Sequence, residues 1–600
     1  MATHEPGELD WPATLCEAFG RTVRSIPEQT ALRSAEGDTH YTYAEYRSAV
    51  ADVAAALYER GVRRHDVVAL MFENRPVFHI VDAAVMHLGA VACSIYNTSP
   101  ARDIAHIVES SGARIAVCER GFAARIVEAA PSIDVLCTER GVTGTECLDD
   151  LARPDGFDFE AQWQAVEPDD VLTLIYTSGT TGKPKAVELT HRAIVAETFL
   201  VAEVLEFRSG DQVPSALPMA HAAQRWGTHY TGMALGLEVI CIADLSTMGA
   251  HLVTIQPDIW GTVPRILEKM VAALRTRLDA EPDTHKRTMV AAAVDIGQRY
   301  AKACNDARLT GGRIPEALAE QRAGVEPILA GLRTAIGLGR IRWLMVGAAP
   351  TAPHVHEYLC GLGLEIVEVW GMSELSSAAT VNAPGAQKVD TVGRPLRGVE
   401  VTLADDGEVL VRGPITMRGY RGDPAATAAA FTPDGRLRTG DLGVIDDQGY
   451  LSLIGRKKEI IVNSAGKNIS PAKVEAAIKA QSPLIGSVMA VGDARPFLTA
   501  LVVLDPDELA HFAAQHGLSA SEPEQLVDTD VVRAVVAEAI DRANTQLARV
   551  EQIKTHVVLP RFWVPDSEEL TPTLKLKRHV ISQKYSDDID ALYTSAAAAR

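Results

Sequence analysis

Residues Tyr176–Lys185 read YTSGTTGKPK, packing two glycines, four Ser or Thr hydroxyls, two lysines and a proline into ten positions. Backbone N–H groups in a glycine-rich turn can converge on phosphate oxygens because glycine has no Cβ to block the approach; hydroxyls add donors and lysine adds charge. The stretch supplies all three, directly after the apolar run VLTLIY. It does not fit the Walker loop, which needs G-x-x-x-x-G-K-[ST] opening a helix. Here the glycines stand at 179 and 182, Pro184 follows Lys183, and KAVELT continues as a strand. No G-x-G-x-x-G follows a strand, so a Rossmann dinucleotide site has no support. A plain Gly/Ser/Thr turn accounts for a four-residue match, but poorly for ten residues set behind a buried strand.

Other chemistries are narrowed by composition. A formal charge of −20 disfavours a nucleic-acid partner. The eight cysteines, at 16, 93, 118, 137, 147, 241, 304 and 360, form no CxxC pair, the pattern of reduced core thiols rather than a disulfide frame or zinc site. The opening MATHEPGELDWPATLCEAFG has neither the basic nor the apolar region of a secretory signal, and no stretch approaches the eighteen or so apolar residues of a membrane span. The expectation is a soluble cytoplasmic protein, with peripheral membrane contact left open.

The elements that must position the loop alternate. TYAEYRSAVADVAAALYER, 42–60, has apolar residues at helical spacing and stops at Gly61; DVVALMF at 66–72 is strand-like, 76–88 helical, and GARIAVCE at 112–119 strand-like again. The rhythm continues through VLTLIYT, LEVICIA, DIWGTV, IRWLMVG and EIVEVWG. This predicts an α/β fold with parallel-rich sheets flanked by helices, whose ligand loops follow the strands' carboxyl ends. Six hundred residues exceed one hydrophobic core, since cores stop growing at roughly 250–300 residues. The charged link GRKKEIIVNSAGKNISP, 455–471, divides a large N-terminal domain, 1–455, from a smaller α+β domain, 456–600. Between Pro264 and Gly339 the sequence reads as two or three helices of a solvated insertion, about 265–338.

YTSGTTGKPK closely resembles the signature loop of the adenylate-forming enzymes, the superfamily of acyl-CoA synthetases, peptide-synthetase adenylation domains and firefly luciferase. The other motifs of that family follow in order: LPMAHAAQRW at 217–226, VGAAP at 346–350, VWGMSE at 369–374, RTGDLG at 438–443, GRKKEII at 455–461 and LTPTLKLKR at 570–578. The resemblance spans about residues 40 to 580. Within the superfamily, TPTLKLKR and the helical insertion look most like bacterial long-chain fatty-acyl-CoA ligases.

The resemblance implies ATP, Mg²⁺ and coenzyme A, with a mobile C-terminal domain. A carboxylate attacking the α-phosphate of ATP is an anion meeting an anion, so catalysis must neutralise charge and align the reactants. No general base is needed, because the acid is already ionised at pH 7. Thr177, Ser178, Thr180, Thr181 and Lys185, with Gly179 and Gly182, are then expected to hold the leaving pyrophosphate. Glu374, with Thr177, is the candidate for Mg²⁺, a hard cation that takes oxygen ligands. Gly347, Ala348 and Ala349 match the adenine wall, and Trp370, Gly371, Met372 and Ser373 the aromatic motif beside it, with Trp370 stacking on adenine. Asp441 and Arg456 match the ribose site. His221 falls beside the reacting carboxylate, and Lys575 matches the catalytic lysine; without the family KLKRH reads as a solvated basic run, and Lys577 and Arg578 remain ordinary. Lys458 matches the hinge, and Ser464, Gly466 and Lys467 the segment lining the thiol's tunnel.

Three departures stand out. Ala186 replaces the glycine usual after PK; if that position requires positive φ, alanine costs roughly 1 kcal/mol. GRLRTGD lacks an aromatic residue, and TLK replaces SGK before Lys575. The expected activity is conversion of a carboxylic acid, a long-chain fatty acid above all, to acyl-AMP and then acyl-CoA. The alternatives are another acid or acyl acceptor, or a non-catalytic acyl-adenylate sensor; no GGxS carrier site is present.

Overall fold

The structure is a computed structural model that describes residues 11–177, 183–464, 466–518, 523–564, 567–571 and 575–598. Ser178, Gly179, Thr180, Thr181 and Gly182 lie outside the described residues.

The α/β expectation is met in three sheets of the larger unit. The longest has eight strands, and its centre is parallel: Val67–Met71, Val91–Ser94, Ile115–Cys118 and Asp134–Cys137 run together, with Val171–Thr177 joining Val91–Ser94 in parallel. Strand Val67–Met71 is buried along its whole length, as a parallel strand covered on both faces must be. The helices between them carry ordinary start signals. Thr42 and Glu45 form a capping box for Tyr43–Glu59, and Pro76 opens Pro76–His87, where its missing N–H costs nothing.

Val171–Thr177 pairs antiparallel with Lys185–Thr190, Thr177 facing Lys185 across the ladder. Ala186 sits opposite Tyr176 in this ladder, is buried, and does not have positive φ. The strain considered for an alanine there is therefore absent: a strand position accepts any L residue.

A second sheet places Ile259–Thr262, Trp343–Val346 and Ile366–Trp370 in parallel, so that Gly347 and Gly371 both follow strand ends. The insertion is three helices, Pro264–Asp279, Thr284–Thr310 and Glu316–Ala335. It is not simply solvated: Leu267, Val271, Val290, Ala293, Leu329 and Leu332 are buried against Pro353–Gly361 and its neighbours in one apolar cluster.

Strand Leu451–Arg456 still belongs to the larger unit, paired with Leu437–Ile445. From Ile461 onward the apolar side chains form a separate core, with Val474, Ile478, Val488, Val502, Val532 and Val536 around the sheet Ile485–Val491, Leu498–Leu504 and Ile553–Val558. The two units meet through charge. Arg265 at the start of the first insertion helix pairs with Asp505, and Glu268 accepts from Lys479 at 3.4 Å. No helix among the described residues is long and apolar enough to cross a membrane.

Candidate active site

One end of the cleft combines a strand end with a short turn. Lys185 is exposed, its ammonium 4.9 Å from the centre of the Tyr420 ring. Glu374 lies in the one-turn helix Ser373–Leu375, buried, its Oε1 accepting from the Tyr420 hydroxyl at 2.8 Å. Among the described residues no group of three or more His, Cys, Asp or Glu side chains could cage a metal. A Mg²⁺ ion fits here as one held by the single Glu374 carboxylate with phosphate oxygens and water, the way that ion meets nucleotides.

The other end is built by two cross-strand neighbours. Asp441 and Arg456 face each other in the antiparallel pair, and Arg456 Nε lies 2.8 Å from Asp441 Oδ1. Trp370, buried at the end of its strand, donates from Nε1 to Asp441 Oδ2 at 2.9 Å. Burial raises the Asp441 pKa, while Arg456 and the indole donor act in the opposite direction. The carboxylate is thus oriented before a ligand arrives, with both oxygens held. Gly371 has to be glycine, because a Cβ would run into the Ser377 carbonyl oxygen. Ala348 is held at φ +70°, a conformation unfavourable by about 1 kcal/mol or more for a residue with a Cβ. Such strain concentrates at functional walls, and Ala348 and Ala349 are exposed there beside Gly347. Met372 and Ser373 complete the turn between Trp370 and Glu374, both half-buried.

Lys575 reaches this cleft from the smaller unit. Its ammonium senses Arg456, Asp441, Glu459 and Glu374, and His221 in turn senses Lys575. The crowded cleft lowers the Lys575 pKa and Arg456 adds to that, against the three carboxylates. Burial, with Lys575 nearby, holds His221 down to about 4, so its imidazole is neutral at pH 7, with Nδ1 buried and unbonded. The backbone around the lysine is pinned: Thr571 N–H donates to the Lys575 carbonyl at 2.9 Å, and Lys575 N–H to Thr571 Oγ1 at 3.0 Å.

The structure does not bring the remaining sequence candidates into this cluster. Lys458 is exposed in the turn after Arg456. Ser464, Gly466 and Lys467 are exposed in a hairpin turn whose bonds run to Asn463 and Arg495, within the smaller unit.

Three residues near the site escape sequence reading. Arg578, an ordinary solvated charge by sequence, is instead a half-buried fork: Nη1 and Nη2 each donate at 2.7 Å to Glu475, and Nε at 3.1 Å to Glu459. The reason is that Glu475 is buried and needs two charge-assisted donors. Tyr420 carries no sequence signal beyond lying near an arginine-rich turn. Glu368 shares a strand face with Trp370, two residues on, and pairs in register with Val346 just before Gly347. Burial pushes its carboxyl up to about 7.

Between its ordinary value of 4.5 and about 7, Glu368 is protonated in the fold and ionised in the unfolded chain. The native state then binds the extra proton, so stability falls as pH rises through that window. Thermal unfolding of Glu368→Gln should show a flatter decline between about pH 5 and pH 7.5 than the unaltered chain; equal slopes would mean that Glu368 does not titrate there.

This cleft, which gathers Lys185, Glu374, Trp370, Asp441 and Arg456 of the larger unit with Lys575 of the smaller, sits in the adenylate-forming fold. The chain belongs to the AMP-binding enzyme family: the family model for "AMP-binding enzyme" matches residues 19–421, and that for "AMP-binding enzyme C-terminal domain" matches 458–597. Among its relatives, the putative fatty-acid–CoA ligase fadD11 of Mycobacterium tuberculosis (strain ATCC 25618 / H37Rv) is 45% identical over 456 residues, 75% of this chain and 79% of that one. The long-chain-fatty-acid–CoA ligase FadD15 of Mycobacterium bovis (strain ATCC BAA-935 / AF2122/97) is 33% identical over 571 residues, 92% of each. In structure the chain resembles an anthranilate CoA ligase, AuaEII, in complex with anthranoyl-AMP, with TM-score 0.73 at 18% identity over 98% of this chain and 100% of that one. It also resembles the o-succinylbenzoate coenzyme A synthetase MenE of Bacillus subtilis in complex with ATP and magnesium, with TM-score 0.66 at 21% identity over 94% and 98%.

Proposed function

We propose that this chain is an AMP-forming acid–CoA ligase that activates a carboxylic acid, most specifically a long-chain fatty acid, with ATP and passes the acyl group to coenzyme A. The observation that carries the reading is the convergence of Lys575 from the smaller unit on Asp441, Glu374 and His221 of the larger. The fatty-acid–CoA ligase names of the mycobacterial relatives support the acid and the thiol acceptor.

In the first half-reaction a carboxylate oxygen attacks the α-phosphorus, the bond to the bridging oxygen breaks, and pyrophosphate leaves. Asp441, preset by Arg456 and Trp370, accepts from the ribose hydroxyls and fixes the nucleoside. Lys575 lies between the incoming carboxylate and the α-phosphate and offsets charge as the new bond forms. Lys185 and the loop of Thr177 and the neighbouring glycines receive the pyrophosphate. Neutral His221 lines the acyl side without adding a second positive charge. Bound Mg²⁺ supplies neutralisation of the polyphosphate, and Glu374 would hold it. In the second half-reaction the coenzyme A sulfur attacks the acyl carbon and AMP leaves. That step needs Lys575 withdrawn and the turn of Ser464, Gly466 and Lys467 brought in, by rotation about Lys458. We place the reaction in the cytoplasm, with peripheral membrane contact to collect an apolar acid.

The test is purified protein with ATP, Mg²⁺, palmitate and coenzyme A, assayed for AMP and thioester. Equal amounts of both support the reading. Pyrophosphate exchange without thioester points to another acceptor, and no acid-dependent use of ATP with any acid in a mixed set points to a sensor.

A further inference from the structure

Lys185 and Glu374 carry opposite charges at the same end of the cleft, yet the Glu374 carboxylate is bonded to Tyr420 and the Lys185 ammonium lies over the Tyr420 ring. One side chain touches both. The hydroxyl donates to Oε1 at 2.8 Å, and the ring face takes the cation at 4.9 Å, inside the range of roughly 6 Å over which a cation is attracted to an aromatic face. Burial and the charge of Glu374 raise the Tyr420 pKa, so the phenol remains a donor at any physiological pH.

The backbone around Tyr420 is fastened to both charges. Met417 N–H donates to the Glu374 carbonyl at 2.9 Å. Arg418 N–H donates to the Glu188 carbonyl at 3.0 Å and Arg421 N–H to the Ala186 carbonyl at 2.9 Å, on the strand that Lys185 begins. Tyr420 itself pairs in register with Val187, and its N–H donates to Thr427 Oγ1 at 2.9 Å. Met417, Arg418, Tyr420 and Arg421 thus tie the lysine strand to the glutamate turn, and the tyrosine is the side chain that touches both charges.

We propose that Tyr420 is a positioning residue: its hydroxyl fixes the Glu374 carboxylate for the metal ion, and its ring keeps the Lys185 ammonium from collapsing onto that carboxylate. Both charges then face the polyphosphate of MgATP instead of neutralising each other. The proposal rests on the reading of Glu374 and Lys185 given above. It assigns separable duties to hydroxyl and ring, which two substitutions divide. Tyr420→Phe keeps the spacer and the cation–π face; Tyr420→Leu keeps neither.

The experiment is calorimetric titration of the full chain with ATP, in EDTA and in excess Mg²⁺, without acid or coenzyme A. The unaltered chain should bind ATP more tightly with Mg²⁺, and Glu374→Gln should lose that gain. Tyr420→Phe should lose about tenfold of the Mg²⁺ gain, the worth of one hydrogen bond to a charged group, with metal-free ATP affinity unchanged. Tyr420→Leu should weaken metal-free binding as well, because Lys185 is no longer held off Glu374. An unchanged unfolding midpoint for Tyr420→Phe separates positioning from folding. If Glu374→Gln loses the gain and Tyr420→Phe keeps it, the role of Tyr420 is overturned and the functional reading stands. If Glu374→Gln keeps the gain, the metal role of Glu374 falls and the proposal falls with it. If the unaltered chain binds no ATP, the functional reading itself fails.

Discussion

Lys575→Ala is expected to reduce acid-dependent ATP–pyrophosphate exchange by about a hundred- to a thousandfold, the usual effect of removing one preorganised donor from a developing anion. The same protein should still convert supplied acyl-AMP and coenzyme A to thioester, because the proposed mechanism withdraws Lys575 from the cleft before that step. The physical basis is the company the ammonium keeps. Asp441, Glu459 and Glu374 draw it in, while Arg456 and the crowded cleft oppose its charge. A cation held against such opposition gains most when further negative charge develops beside it, and this happens as pyrophosphate departs. Alanine removes the charge without disturbing the fold around it, since the bonds to Thr571 use only the lysine backbone. Normal exchange in this variant would remove Lys575 from the adenylation step. Loss of both half-reactions would instead point to damage shared by the two conformations, and the unfolding midpoint would reveal it.

The layout of the site was legible in the sequence because strands announce their ends. VLTLIY, IRWLMV and EIVEVW are short apolar runs that stop at Thr or Gly, and the structure puts Thr177, Gly347 and Gly371 at or just past the ends of the corresponding strands. Asp441 and Arg456 were legible as separate motifs, but not as one another's partner: antiparallel register brings together residues fifteen apart, and neither motif encodes it. Tyr420, Glu368 and Arg578 were missed for a related reason. Their significance lies in what surrounds them, a carboxylate, a desolvating strand face and a buried glutamate, and none of those is adjacent in sequence. Ala186 shows the opposite error. A departure from a familiar motif suggested strain, and the ladder to Tyr176 removes it. The insertion was read as solvated from its charge, yet apolar residues at helical spacing bury one face of each of its helices.

The proposed hinge at Lys458 separates the two proposed half-reactions most sharply. Lys458→Pro should spare pyrophosphate exchange and lower overall thioester formation by about a hundredfold, equivalent to roughly 3 kcal/mol, the scale of a proline in an incompatible backbone. The exchange survives because the observed arrangement does not depend on the Lys458 amide. Lys457 N–H donates to the Gly440 carbonyl, and Glu459 and Ile460 N–H both donate to the Arg456 carbonyl. Proline at 458 deletes no N–H that these three bonds use, while fixing φ near −65°. What it removes is the freedom to leave this arrangement. Rotation must also break the Arg265–Asp505 and Glu268–Lys479 pairs, which hold the insertion helix to the smaller unit away from the hinge. Breaking ion pairs slows departure but does not forbid it, whereas a locked backbone dihedral does. Measuring both half-reactions on the same preparation decides the matter. Unimpaired turnover to thioester in Lys458→Pro means that the smaller unit turns about some other residue, or that thioester formation needs no rotation at all.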